Sequence, residues 1–142
     1  MPVRKSTAIW EGKLKDGKGT MTVGDNVFEG KYSFASRFEE GDGTNPEELL
    51  AAAHAGCFSM AFSGELGKAG FNPQRIETTA KVNLVKAEQG FKIETVDLQT
   101  KASVPDIEEN KFQELAQNAK NNCPVSQLFK GAKITVNATL AG

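Results

Sequence analysis

Residues 46–69 constrain this chain more than any other segment. They open Pro46-Glu47-Glu48-Leu49-Leu50-Ala51-Ala52-Ala53-His54-Ala55-Gly56-Cys57-Phe58-Ser59-Met60 and run on to Ala69. Asn45 is a good N-cap, Pro46 suits the first helical position, and Glu48 has capping-box spacing. Gly70 supplies the C-terminal stop. The spacing predicts a helix with one apolar face of Leu49, Leu50, Ala53, Cys57, Met60, Ala61 and Gly64. Ala51, Ala52, Phe58 and Phe62 spread that face almost all round. A helix apolar on most sides must be buried on most sides. One small sheet covers only one of them, so a second subunit is expected to cover another.

The rest of the chain supplies sheets. Ser6–Trp10, Gly19–Val23 and Gly30–Phe34 are short and β-rich, separated by Gly/Asp turns. Ile76–Leu84 and Phe91–Leu98 alternate with period two about a turn at Glu88-Gln89-Gly90. The inward phase shifts by one residue between Ile93 and Val96, which predicts a bulge. A second helix follows Pro105-Asp106, with the stripe Phe112, Leu115, Ala116, Ala119 and Cys123, and ends at Pro124. Lys133–Leu140 is the last strand. The expected class is α+β: antiparallel sheets, a long buried central helix and a second helix.

Bulk properties exclude several functions. At 142 residues the chain fits one domain, residues 1–142, able to bury a core. A net charge of −1 offers no basic excess to hold nucleic acid or an anionic membrane. The apolar stretch Leu49–Phe62, broken by His54, Gly56 and Ser59, falls short of the roughly 20 apolar residues a membrane span needs. Polar residues follow Met1-Pro2-Val3-Arg4-Lys5, so no secretory signal is expected and the compartment is read as cytoplasmic. In a reducing cytosol a cysteine pair tends to be catalytic or redox-sensing rather than a permanent crosslink.

The candidate chemistry lies in few residues. The chain has two cysteines and one histidine, too few for a four-ligand zinc site. Each cysteine is either an inert core residue or a redox centre. His54 precedes Cys57 by three residues and could act as a base. The commoner role, a helix histidine satisfied by a neighbour, is favoured. Gly12-Lys13-Leu14-Lys15-Asp16-Gly17-Lys18-Gly19 nearly matches a phosphate-binding loop, but Gly19 stands where Ser or Thr is needed, and it reads as a hairpin turn. Arg37 lies between Phe34 and Phe38 at strand-like spacing, either on a surface edge strand or as a cation at an aromatic-walled pocket. A guanidinium there would lower the Cys57 pKa below about 8.5, where only about 3% is thiolate at pH 7. Glu47 and Glu48 suit the helix dipole, and one of them can grip an arginine fork. Cys123, held extended by Pro124, is placed to N-cap Pro124-Val125-Ser126-Gln127 with amides aimed at its sulfur.

Gly43-Thr44-Asn45-Pro46-Glu47-Glu48-Leu49, then Ala52-Ala53-His54-Ala55-Gly56-Cys57-Phe58-Ser59-Met60, and later Asn122-Cys123-Pro124-Val125-Ser126, resemble the OsmC/Ohr family of thiol peroxidases. Trp10-Glu11-Gly12, Arg37-Phe38-Glu39 and the histidine at position 54 point to the OsmC branch. The resemblance runs over nearly the whole chain. It implies an intertwined homodimer with sites at its interface and no cofactor. It implies Cys57 as the thiol attacking an organic hydroperoxide and Cys123 as the resolving thiol. Arg37 is then the activating cation and Glu47, ten residues before Cys57, its partner. An external dithiol, possibly lipoyl-type, would recycle the disulfide in a role of oxidative or osmotic stress defence. The competing reading is a non-catalytic dimeric binding or redox-sensing module on the same scaffold.

Overall fold

The computed structural model describes residues 2–131 and 133–142. The chain divides into two compact units, Met1–Leu49 and Leu50–Gly142. The first carries β1 (Ser6–Glu11), β2 (Lys18–Val23), β3 (Phe28–Tyr32) and the short α1 (Phe34–Phe38). The long α2 (Pro46–Lys68) starts there and continues through the second unit. That unit adds β4 (Arg75–Ala87), β5 (Gly90–Ser103), α3 (Glu109–Asn122), α4 (Pro124–Leu128) and β6 (Lys133–Ala141).

In the first unit β1, β2 and β3 form an antiparallel meander. The segment from Gly12 to Gly17 is the β1–β2 connection, and the Gly17 N–H donates to the Lys13 carbonyl at 2.7 Å. It is a hairpin loop rather than a phosphate cradle, since a strand follows it, not a helix. Gly19 is required: a Cβ there would meet the Tyr32 ring at 2.5 Å and the Trp10 ring at 2.7 Å. Those two rings pack with centroids 5.3 Å apart. The third strand ends earlier than its composition predicts. Ser33 adopts extended backbone and caps α1, so residues 34–38 are helical.

In the second unit β4 and β5 form a long hairpin in which Ala87 pairs with Gly90, leaving a two-residue turn, with Gly90 at φ +92°. The expected bulge is present. Asn83 pairs with Thr95 and Leu84 with Ile93, so Glu94 is the extra residue. It switches the inward phase from Ile93 to Val96, Leu98 and Thr100. β6 pairs with β5 in parallel, so this sheet is mixed rather than purely antiparallel. The reason is connectivity: α3 and α4 lie between the two strands and return the chain to the end from which β5 began.

The core of this unit gathers Phe58, Phe62 and Leu66 of α2, Val96, Leu98 and Ala102 of β5, and Phe112, Leu115, Ala116 and Ala119 of α3. The α3 stripe is the one its spacing predicts. The buried row of α2 is not. It consists of His54, Phe58, Phe62 and Leu66, four residues apart, while Ala53, Gly64 and Met60, 79% exposed, lie outside it. Side-chain volume explains the choice. Where apolar residues run almost all round, the face with two phenylalanines removes far more surface from water than one of alanines and glycines. Ser59 extends the contact by donating to Thr78 Oγ1 at 2.7 Å, and Thr78 shares a 3.0 Å hydrogen bond with Thr100.

Phe62 is fully buried, with its ring centroid 5.6 Å from that of Phe58 and 5.3 Å from that of Phe112. Phe62→Ala is expected to cost about 3–5 kcal/mol. Urea denaturation checks this; a loss below about 1 kcal/mol would show that the aromatic row does not hold the unit together.

Candidate active site

Two clusters carry the residues singled out from sequence. The first lies in the Met1–Leu49 unit. Ser33 Oγ accepts from the Ser36 N–H at 3.0 Å, and Ser36 Oγ accepts from the Ser33 N–H at 2.8 Å, a reciprocal capping box with serine at both ends. Ser36 Oγ also donates to the Thr44 carbonyl at 2.6 Å. The Asn45 side chain faces both ways. Its Nδ2 donates to the Ser36 carbonyl at 3.0 Å, and its Oδ1 accepts from the Glu48 N–H at 2.8 Å, which caps α2. The Glu48 carboxylate accepts from Thr44 Oγ1 at 2.8 Å, which is not the reciprocal bond a capping box would make.

This scaffold sets Arg37 of α1 against Glu47 of α2. Arg37 Nε donates to Glu47 Oε1 at 3.0 Å, and Nη2 donates to Oε2 at 2.9 Å. The bidentate fork fixes the guanidinium plane. The Glu47 side chain is 12% exposed against 36% for Arg37, so the carboxylate is sheltered while part of the guanidinium faces outward. Arg37 also lies 5.2 Å from the Phe38 ring centroid. Trp10, Leu14, Tyr32, Phe34 and Phe38 wall a cavity of about 220 Å³ with Arg37 on its lining. Arg37 is therefore the cation of an aromatic-walled pocket, but on a helix rather than a strand. The Ser33–Ser36 box is what turned the chain.

The second cluster lies in the Leu50–Gly142 unit. Cys57 of α2 is partly buried, Cys123 is fully buried, and both are free thiols. Their sulfurs are 2.8 Å apart, within hydrogen-bonding distance. Cys123 is at once the C-cap of α3 and the N-cap of α4: its N–H donates to the Ala119 carbonyl, and its carbonyl accepts from the Gln127 N–H, each at 3.0 Å. Its backbone, φ −59° and ψ 128°, has the extended form that a following proline imposes. Its thiol makes no capping bond. The expectation that the amides of residues 124–127 serve Cys123 is thus corrected, because the Val125 N–H donates to the sulfur of Cys57.

Cys57 does not have the lowered pKa expected of it. Burial pushes its thiol up, and the hydrogen-bonded contact with Cys123 pushes the same way; the Val125 N–H opposes them more weakly. Desolvation disfavours the thiolate, and so does a second thiol close by, whose own ionisation would add like charge.

His54 also differs from a free base. It is fully buried, with Nε2 2.7 Å from Ser126 Oγ and its ring edge-on to Phe129 at 5.4 Å. Nδ1 is buried without a hydrogen-bond partner among the described residues. Sequence reasoning gave Ser126 no role. The signal that would have found it is a serine at the third position of a four-to-five-residue turn after Cys-Pro, where exposure would be ordinary and burial calls for a partner. Among the described residues no three His, Cys, Asp or Glu side chains group to hold a metal, and no helix is long and apolar enough to cross a membrane.

Two free thiols at this separation need only close by less than about 1 Å to reach the disulfide bond length. The fold and this pair define an α+β dithiol protein. The comparisons specify it further. Residues 39–138 match the family model described as OsmC-like protein. The chain is 49% identical over 138 residues to Peroxiredoxin OsmC of Escherichia coli K12, covering 96% of each. The crystal structure of the organic hydroperoxide resistance protein OhrB of Bacillus subtilis aligns with a TM-score of 0.69 at 27% identity, covering 96% of this chain and 98% of that one. An OsmC-like protein from Mycoplasma pneumoniae, 18% identical, shares the fold over 99% of both chains with a TM-score of 0.78. This chain belongs to the OsmC family.

Burial holds the His54 pKa below its ordinary value of 6.5. The unfolded chain therefore takes up the proton first. The stability His54 contributes is complete above about pH 6.5 and is lost as pH falls from there through the lower folded pKa. Because His54 is the only histidine, its imidazole resonances report on it alone. Their titration midpoint is expected below pH 6.5; a midpoint at 6.5 or above would contradict this burial.

Proposed function

We propose that this protein is a cysteine-based peroxidase that reduces organic hydroperoxides to alcohols. The observation that carries the reading is the 2.8 Å approach of two free thiols on separate helical elements. Ionised Cys57 attacks the distal oxygen of the hydroperoxide. The O–O bond breaks, the alkoxide leaves and takes a proton to become the alcohol, and Cys57 becomes a sulfenic acid. The Cys123 sulfur then attacks the Cys57 sulfur, the S–S bond forms, and hydroxide leaves as water with the Cys123 proton. An external dithiol, of lipoyl type in our reading, restores both thiols by exchange.

Family likeness and the bidentate pairing support a role for Arg37, with Glu47 as its anchor. Since burial raises the Cys57 pKa, we place the function of Arg37 at the departing oxygen, where negative charge develops and a fixed donor helps most. The apolar walls of the cavity beside Arg37 favour an organic group over hydrogen peroxide. The reading of the sequence as one domain, residues 1–142, is kept. A homodimer completes the proposal. It is supported by the uncovered side of α2, where Ala52, Ala53, Gly56, Met60 and Gly64 are exposed and a Cβ added at Gly56 or Gly64 would meet nothing within 4 Å. Burying that side in a stable homodimer typically takes about 2,000 Å² or more. Light scattering at micromolar concentration is expected to give twice the chain mass; a folded monomer overturns this part of the reading.

The peroxidase reading is tested with an alkyl hydroperoxide, hydrogen peroxide and a dithiol reductant. The alkyl substrate is expected to react faster. Cys57→Ser should consume no peroxide. Cys123→Ser should react once and then over-oxidise, with mass spectrometry placing the added oxygens on Cys57. Arg37→Ala should lower the rate on the order of a hundredfold at every pH, with Arg37→Lys recovering only part and Glu47→Gln doing less harm. Arg37→Ala reaching the wild-type plateau at high pH would remove its role at the oxygen. An oxygen adduct forming on Cys123 at wild-type rate in Cys57→Ser would reverse the cysteine assignment.

A further inference from the structure

His54 is an expensive core residue. A phenylalanine or leucine would fill the same space without leaving a polar atom unpaired, yet the chain buries an imidazole whose Nδ1 has no partner among the described residues. An unsatisfied buried polar atom is a cost that the folded state carries throughout. What the imidazole supplies in exchange is its one hydrogen bond, Nε2 to Ser126 Oγ at 2.7 Å. Both residues are inside the unit, at 0% and 6% exposure. The tautomer that leaves only a bare lone pair at Nδ1 carries its proton on Nε2 and donates it to Ser126.

The location of this bond is informative. His54 is three residues before Cys57, close to one turn along α2. Ser126 is three residues after Cys123, in α4. The bond from His54 to Ser126 and the contact from Cys57 to Cys123 therefore join the same two elements as neighbouring rungs. The Val125 N–H to Cys57 is a third link between them. α4 is only Pro124–Leu128, too short to hold its position by helical hydrogen bonds alone. Of the three links, only the one between His54 and Ser126 lacks a reacting sulfur, so it alone can persist unchanged when Cys57 is oxidised.

We propose that the buried hydrogen bond between His54 and Ser126 is a positioning device that keeps Cys123 within closing distance of Cys57. His54 is then a positioning residue, neither the base for the thiol nor simple filling. The inference rests on the peroxidase reading for its biological use, but the physical claim concerns only disulfide closure. When Cys57 carries a sulfenic oxygen, Cys123 must still reach the Cys57 sulfur and displace hydroxide. A turn free to drift would do so more slowly, and a second peroxide molecule would convert the waiting sulfenic acid to sulfinic acid.

Two measurements separate this proposal from the reading beneath it. The first equilibrates wild type, His54→Phe and Ser126→Ala with mixtures of oxidised and reduced dithiothreitol, where no peroxide is present. The fraction of Cys57–Cys123 disulfide is expected to show a closing equilibrium weaker by about tenfold in both variants, the ratio that one ordinary net hydrogen bond supports. The double variant should be no weaker than either single one, because both remove the same bond. His54→Gln, whose amide reaches the position of Nε2, should recover part of the loss. Ser126→Ala removes a single oxygen and keeps the comparison open should His54→Phe fail to fold.

The second measurement adds an alkyl hydroperoxide. Sulfenic acid formation should stay within about twofold of wild type, while closure slows about tenfold and Cys57 sulfinic acid accumulates. A merely structural bond would lower thermal stability without changing this partition. Wild-type closing equilibria in both variants, additive losses in the double variant, or no disulfide in the wild type under dithiothreitol would each overturn the proposal. A normal closing equilibrium together with no peroxide reaction in the wild type would instead overturn the peroxidase reading and leave the bond's role standing.

Discussion

Burial of one row of α2 governs the chemistry of the Leu50–Gly142 unit. His54, Phe58, Phe62 and Leu66 recur every four residues and face the core. The rotation of the helix about its axis is thereby fixed by aromatic volume. Cys57, one residue before Phe58, lies at the margin of that row and is partly rather than fully buried. Had the helix turned its alanine and glycine side inward, as apolar count alone would allow, Cys57 would have been central and Phe58 exposed. The placement of the thiol follows from where the largest side chains go.

The second thiol is placed by different means. The α3 stripe of Phe112, Leu115, Ala116 and Ala119 packs into the same core, and Cys123 follows one turn after Ala119. Proline at 124 then forces an extended cysteine, ends α3 and opens α4. A residue between two short-range constraints has little freedom. That explains how a buried thiol on one element comes to lie 2.8 Å from a thiol on another without a covalent link. The electrostatics have a cost: the enclosure that brings the sulfurs together also raises the pKa of Cys57. Protection from solvent and ease of ionisation pull in opposite directions at this site.

The Met1–Leu49 unit solves a separate problem, which is to hold an arginine fork still. Ser33, Ser36 and Asn45 spend their side chains on backbone groups, and the ends of α1 and α2 are joined as a result. Arg37 and Glu47 then meet in two parallel hydrogen bonds beside an aromatic cavity. None of these capping residues is reactive. They convert a flexible cation into one of fixed direction, which is the property a developing oxyanion can use.

Much of this was legible in the residues themselves. Local signals gave Asn45 as the cap of α2, the Gly70 stop, the hairpin turn before Gly90, the phase change between Ile93 and Val96 and the α3 stripe, because each depends on neighbours a few positions away. The α+β class followed from their order. Three features were decided only by the tertiary structure. The buried face of α2 depended on competing volumes, which a nearly all-apolar helix does not rank. The parallel pairing of β6 depended on the path of α3 and α4 between the strands. The direction of the Cys57 pKa shift depended on which groups surround the sulfur, and no spacing along the chain contains that information. His54 and Ser126 show the same division: 72 residues separate them, and only the fold could make them hydrogen-bond partners.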